Sequence, residues 1–456
     1  MAGIGFELRK LLKRDSFFAI LRTYAYAGII SSGPWVLSII AVLVIGIISI
    51  PVVIPRFLVS QFQTSITYLI ALSLIFTGFV QLAFTRYSAD RIFDKEHHRL
   101  LPNLNGLLLL VTAIGGILAF PLAIVLFPQN TLLFRLLFAT TFVVLSCVWV
   151  GAILLSGLKA YKSILVNFAV GYGTALILAF FMRVWRLEGL MLAFLIGQFA
   201  LLLGMLFVLF RNYPARGFIE FDFLGRGRIY LSLVFTGFFY NLGIWADKFV
   251  FWFHPYTGTN VIGPLNASEI YDFPVFLAYL SILPGMAVFL VRMETDFVEY
   301  YDRFYDAVRE GGSLSYIYGM KDEMVRMARE GIYDIIKIQA TAAIGVFLVG
   351  AKLLELAGIP QVYLPLLYID VAAAGFQVVF LGVLNIYFYL DRRGRALFLT
   401  ALFATLNLVF SVISISLGPF FYGYGFALSL CIAIMCGMYL LDYDLQRLEY
   451  ETFMLQ

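Results

Sequence analysis

The sequence predicts an all-α polytopic membrane protein, with about twelve transmembrane helices in two six-helix lobes. Three observations carry this. Apolar runs recur from Tyr24 to Tyr443, each about twenty residues long, the length at which a helix crosses the ~30 Å hydrocarbon core of a bilayer. Of 456 residues, 62% are hydrophobic and 13% charged, and mean hydropathy is +0.92, values foreign to a water-soluble domain. Finally, the basic residues alternate between connections as a multi-pass topology requires.

The expected spans are 24–50, 64–86, 104–127, 131–155, 164–184, 190–210, 229–253, 274–293, 333–356, 364–390, 397–418 and 426–442. With a cytoplasmic N-terminus, 25 of the 32 Lys and Arg residues fall on the cytoplasmic side. They include Arg9, Lys10, Lys13, Arg14 and Arg22 ahead of the first span, Arg211 to Arg228 after the sixth, and Arg392, Arg393 and Arg395 after the tenth. The opposite side holds Arg56, Arg183 and Arg186. Both termini are therefore expected in the cytoplasm of a bacterial inner-membrane protein. The charges from Glu7 to Arg22 and the length of the first apolar run speak against a cleavable signal peptide.

Residues 1–23 form an expected amphipathic leader, with Phe6, Leu8, Leu11, Leu12 and Phe18 among basic side chains. Such a segment lies along an anionic membrane surface or docks a cytoplasmic partner. An N-lobe over 24–210 and a C-lobe over 229–442 flank a basic linker at 211–228, and 443–456 is a cytoplasmic tail. Two six-helix halves of equal topology are related by an axis along the membrane normal. A weak echo between Gly28-Ile29-Ile30-Ser31-Ser32-Gly33-Pro34-Trp35 and Gly237-Phe238-Phe239-Tyr240-Asn241-Leu242-Gly243-Ile244-Trp245 agrees with duplication. The C-lobe carries a polar insert, 294–331, read as two helices broken at Gly311-Gly312-Ser313. Val298, Tyr301, Phe304, Tyr305 and Val308 form an apolar stripe on the first. Something must cover that stripe, either the chain's own loops or, the reading favoured here, a docked partner.

Charges inside spans are the sharpest local signal, since each costs about 2.5–3.5 kcal/mol at a helix centre. Asp247 and Lys248 share the seventh span. Helix neighbours diverge by about 100°, so at least one is expected to find a cavity or another helix. Asp370, in the tenth span, has Lys352 and Arg135 as candidate partners at comparable depth. Arg292, Glu294 and Lys337 sit at inner span ends, where they either snorkel or line a cavity; Lys352 and Glu355 can pair along one turn. For Asp247 and Asp370 the plainer alternative is an interhelical pair without a role in transport. Uncharged polar residues stud the spans: Gln81, Asn167, Gln198, Asn241, Gln339, Gln377, Asn385 and Asn407. They suit hydroxyl-rich, uncharged ligands, with Trp245 or Tyr240 as a stacking face. Interhelical hydrogen bonds explain most of them equally well.

Other motifs are set aside. There is no G-x-x-x-x-G-K-[ST] loop. Asp442-Tyr443-Asp444 stands without the α/β domain that a sugar-nucleotide transferase would build around it. Asp94, Glu96, His97 and His98 are too consecutive to share one helix face as metal ligands. Asn266-Ala267-Ser268 is a chance-level glycosylation sequon. Cys147, Cys431 and Cys436 all lie in apolar runs, which implies neither a disulfide nor a thiolate site. No nucleophile and base converge, so no enzyme, metal or cofactor is expected.

The opening Met1-Ala2-Gly3-Ile4-Gly5-Phe6-Glu7-Leu8-Arg9-Lys10-Leu11-Leu12 resembles that of the PelG family. So do Ile30 to Trp35, Ile244-Trp245-Ala246-Asp247-Lys248-Phe249 and the run from Leu290 to Asp306. The resemblance covers essentially the whole chain. It implies a relative of the multidrug/oligosaccharidyl-lipid/polysaccharide (MOP) exporter superfamily, with a MATE-like fold. It also implies a role in moving the Pel exopolysaccharide, rich in N-acetylated hexosamine, across the inner membrane during biofilm matrix production. Implied partners are the cytoplasmic glycosyltransferase PelF and the membrane subunits PelD and PelE. No family motif assigns substrate residues. The residues themselves leave open a lipid-linked oligosaccharide flippase, a drug or ion antiporter of the same superfamily, or a membrane scaffold for the synthase.

Overall fold

The structure, a computed structural model, describes residues 17–158, 160–215, 217–225, 229–356 and 358–450, with side chains from Thr23 onward. Residues 1–16 of the expected amphipathic leader lie outside them, and 17–23 belong to the first helix. Within the hydrocarbon layer only a helix satisfies every backbone group inside its own segment, and the described residues are accordingly nearly all helical. In chain order they form α1 Phe17–Ser49, α2 Phe57–Phe93, α3 Leu100–Leu126, α4 Leu132–Gly157, α5 Tyr161–Met182, α6 Arg186–Asn212 and α7 Leu231–Phe253. A short hairpin follows, β1 Thr259–Ile262 and β2 Leu265–Ala267. Then come α8 Glu269–Leu280, α9 Leu283–Val291, α10 Val298–Arg309, α11 Leu314–Leu356, α12 Leu364–Tyr389, α13 Arg393–Leu417 and α14 Tyr424–Gln446.

Local chemistry sets the breaks. Thr131 caps α4, its Oγ1 accepting the Phe134 N–H at 3.1 Å. The expected eighth span is in fact two helices, α8 and α9, bent by 42° at Ser281-Ile282. Pro284, in the first turn of α9, has no N–H to continue the ladder, and its ring clashes with the carbonyl one turn back. Beyond α9 the chain widens into a π-turn over Arg292–Phe297 before α10. The insert breaks at Gly311, whose φ of +69° suits glycine, and the Ser313 hydroxyl accepts the Tyr316 N–H. The second insert helix does not stop at the membrane. It runs unbroken into the ninth span as the 43-residue α11, because nothing between Leu314 and Leu356 removes a donor or needs a positive φ.

Nine helical segments among the described residues are long and apolar enough to cross a membrane, or ten if the bent α8–α9 pair is one span. One of the nine, Tyr161–Asn212, comprises α5 and α6, two helices folded back at Arg183–Trp185. Their backbones approach closely where Gly171 and Gly197 face each other, so a methyl group on either would overlap the other's carbonyl.

The chain divides into two compact units, and three of the four divisions fall inside helices, the fourth just ahead of α8 and none in the basic linker 211–228. Unit one holds the described residues up to Ser32, then Ala246–Phe251, then everything from Glu269 on. Unit two holds Gly33–Trp245 and Trp252–Ser268. Helices α1 and α7 thus each contribute residues to both. In unit one, Phe251, Tyr271, Val275, Leu366, Ile415 and Tyr422 make one apolar cluster. In unit two the hairpin is tied to α2, with Gln61 Nε2 donating to the Val261 carbonyl (3.0 Å) and the Tyr68 hydroxyl to that of Asn266 (2.9 Å).

Candidate functional site

The most concentrated buried chemistry lies in unit one, at the end of α7. Asp247 is fully buried and Lys248 nearly so. At least one of the two was expected to find a cavity or another helix; besides the contacts Asp247 makes with other helices, the two also satisfy each other, with Lys248 Nζ 3.0 Å from Asp247 Oδ2. The 100° divergence applies to the Cα–Cβ vectors, whereas the four-carbon lysine stem is long enough to curl back. Phe251, one turn beyond Asp247, stacks on Tyr271 of α8 with ring centroids 3.8 Å apart. That stacking holds the Tyr271 hydroxyl, which donates to Asp247 Oδ2 at 2.6 Å. Asn407 of α13 donates to Asp247 Oδ1 at 3.1 Å, and its own carbonyl accepts from Ser411 at 3.1 Å. The ammonium of Lys248 also meets the Tyr279 hydroxyl and sits 4.6 Å from the centre of the Phe426 ring. Asp247 is thus an anion with a full complement of donors.

Asp370 of α12 is different. It is 3% exposed, and both carboxylate oxygens lack a hydrogen-bond partner among the described residues. Gly423 presses close to it: a Cβ there would lie 2.8 Å from Asp370 Oδ1, and its φ of +84° also disfavours a side chain. Neither proposed partner reaches Asp370. Lys352 is exposed, as is Glu355, and Arg135 donates to the Pro128 carbonyl within unit two. A buried, unbridged carboxyl is the kind of group that binds and releases a proton when its surroundings change.

The inner-end charges of unit one all have partners among the described residues. Arg292 bridges Asp296 and Asp334, each at 2.8 Å, and Lys337 leans on Asp334 at 3.5 Å. Glu294 accepts from Asn385 (3.2 Å) and from Tyr389 (2.9 Å). The π-turn carries both Arg292 and Glu294. Gln377 is buried with its carbonyl oxygen unpartnered. The stripe offered for partner docking is largely covered by the protein itself: Phe304 is fully buried and Val298, Tyr301, Tyr305 and Val308 are half-buried. Tyr301 packs on Tyr389, 5.4 Å between centroids.

Unit two buries amides instead of ions. Asn241 donates to Gln81 Oε1 at 3.4 Å and to the Gly237 carbonyl, while Gln81 donates to Thr77. These residues flank the closest approach of α2 and α7, where Gly78 and Gly237 touch: a Cβ on Gly78 would lie 2.8 Å from the Gly237 carbonyl oxygen. Trp245 is half-buried, 6.2 Å from Trp252. Sequence reasoning missed Tyr271, Tyr279, Ser411 and Tyr389. Tyr271 lies just ahead of the expected start of its span, and the acidic first turn Glu269-Ile270-Tyr271-Asp272 before Pro274 was the available signal for an earlier helix start.

Bundles of long apolar helices with charged side chains sealed in their interior define a multi-pass membrane-protein fold, and solved structures share that fold. An outward-facing multidrug-resistance MATE transporter of the MOP superfamily matches at TM-score 0.63 and 13% identity, covering 94% of this chain and 97% of that one. A MOP-superfamily transporter from Pyrococcus furiosus matches at 0.60 and 15%, over 94% and 96%. An inward-facing MATE transporter matches at 0.59 and 14%, over 93% and 96%. No curated relative matches. The model of the PelG family, "Putative exopolysaccharide Exporter (EPS-E)", matches residues 1–453, and the chain belongs to that family.

Proposed function

We propose that the chain exports the Pel exopolysaccharide outward across the bacterial inner membrane. The single observation that carries this reading is the family match over residues 1–453. The cytoplasmic glycosyltransferase PelF would extend the polymer, with PelD and PelE as membrane partners and both termini of the chain in the cytoplasm. In this reading the chain crosses twelve times: α5 and α6 count separately, and the bent α8–α9 pair and α7 join the remaining helices of the nine. Helix α7 falls short on hydropathy because it carries Asn241, Asp247 and Lys248.

A neutral polymer offers hydroxyls and amides, so the side-chain amides and aromatics contact it while the ions do other work. Asp370 exchanges a proton with the conformational cycle, and Asp247 with Lys248 holds the helices around it. The test is secreted polymer from cells lacking this gene and supplied with wild type or Asp370→Asn at matched membrane levels. The wild type restores secretion, and Asp370→Asn lowers it at least tenfold. Undiminished secretion from cells without the chain would overturn the export reading.

A further inference from the structure

We infer that a cleft at the cytoplasmic end of α2 is an entry subsite for an uncharged sugar unit, a reading that rests on the proposed export function. The cleft lies in unit two and holds a cavity of about 290 Å³. That is at the small end of the ~300–1,000 Å³ typical of ligand pockets, room for a short stretch of sugar chain. It opens beyond the Gly78–Gly237 crossing: Arg86 lies about 12 Å further along α2, and Tyr230, just ahead of α7, precedes Gly237 by seven residues. One wall carries planar polar groups in two ion pairs, Arg86 with Asp90 (3.0 Å) and Arg91 with Asp94 (3.0 Å). Phe93 and Tyr230 supply the aromatic surface, while Tyr87 is buried against Phe84, Phe223 and Arg91.

Charge decides the ligand class. Among the described residues the two guanidinium groups meet three carboxylates, Asp90, Asp94 and, also on Arg91, Glu96, so the lining carries no excess positive charge to attract an anion. The C-terminal end of α2, at Phe93, adds the negative end of the helix dipole, which disfavours phosphate. Guanidinium and carboxylate offer rigid, planar donors and acceptors in bidentate geometry, suited to adjacent hydroxyls on one ring. Aromatic faces pack against its C–H surface. A neutral sugar uses both, whereas a nucleotide or acidic glycan would confront Asp90 and Asp94.

The test is binding of chitotriose and cellotriose to the purified full chain in detergent, by saturation-transfer NMR and calorimetry. One of these neutral trisaccharides should bind, with affinity at least tenfold weaker in Tyr230→Ala and in Asp90→Asn. Tyr230→Trp, which keeps a stacking face, should retain binding, and a hexuronic-acid trisaccharide should bind at least tenfold more weakly than the neutral one. Melting temperatures equal to wild type separate lost binding from lost folding. Binding undiminished in both weakening variants, or absent in wild type, overturns the subsite. Export itself is read from secretion by cells lacking the gene, so a failed cleft and a failed export reading are recognised apart.

Discussion

Unit two sets amides against one another in its interior, whereas unit one buries ions. Gln81 and Asn241 exchange a hydrogen bond without net charge, and no pH change within the physiological range alters them. Asp247, Lys248 and Asp370 occupy a comparable depth of burial, but Asp247 and Lys248 pair with each other, whereas Asp370 has no hydrogen-bond partner among the described residues. The proposed export function assigns polymer contact to amides such as Gln81 and Asn241 and proton exchange to Asp370. Helix α7 carries both kinds of residue within two turns, Asn241 in unit two and Asp247 in unit one.

The largest expected effect strikes the satisfied anion. Asp247→Ala leaves the Lys248 ammonium buried without its counter-ion and deprives Tyr271 and Asn407 of their acceptor, a loss of about 3–5 kcal/mol. Thermal unfolding in detergent should drop sharply, and adding Lys248→Met should recover more than half of the loss. Asp370→Asn is the sharp contrast. It breaks no hydrogen bond among the described residues, so its melting temperature should equal or exceed that of wild type while secretion falls. If the two aspartates destabilise alike, the division between structural and titrating carboxyl is wrong.

Next comes the crossing in unit two. Gly78→Ala puts a methyl group 2.8 Å from a backbone oxygen that cannot step aside, overpacking worth about 1–3 kcal/mol; membrane abundance should fall, and a variant that accumulates normally would show that the helices can separate freely. Asn241→Leu removes one interhelical hydrogen bond, worth about 0.6–1 kcal/mol. Stability should barely move although polymer secretion drops, the reverse of Asp247→Ala.

The smallest effect is at the surface. The hydrogen bond from Arg91 holds the Glu96 carboxyl below its ordinary value of 4.5. A lowered folded-state value means the pair stabilises at neutral pH and fades as acid protonates Glu96. Glu96→Gln should differ slightly from wild type at pH 7 and converge with it below about pH 4. A difference that grows on acidification would reverse the sign and refute the pairing.

Much of this was legible in the sequence, for physical reasons. A bilayer demands helices of a set length, so the apolar runs located the elements, and the glycines and Ser313 located the break in the insert. Ions in apolar surroundings are costly, so Asp247, Lys248 and Asp370 stood out. Their partners did not. Lys248 turning back on Asp247, Tyr271 held in place by Phe251, and Asn407 reaching from α13 all depend on which helix faces meet, a tertiary matter that periodicity does not encode. Nor did it reveal that Asp370 would be left without a donor while Asp247 received three. The kink at Pro284 was hidden because the apolar run passes through it. The packing of Tyr389 on Tyr301 of the insert stripe was not legible, because Tyr389 lies about ninety residues away in sequence.

Proton movement across liposomes containing the purified chain, followed with an internal pH-sensitive dye as an oligosaccharide is added, tests the central claim most directly. The account predicts oligosaccharide-dependent proton flux with wild type and none with Asp370→Asn at equal reconstituted protein. Equal flux from both proteins would contradict it.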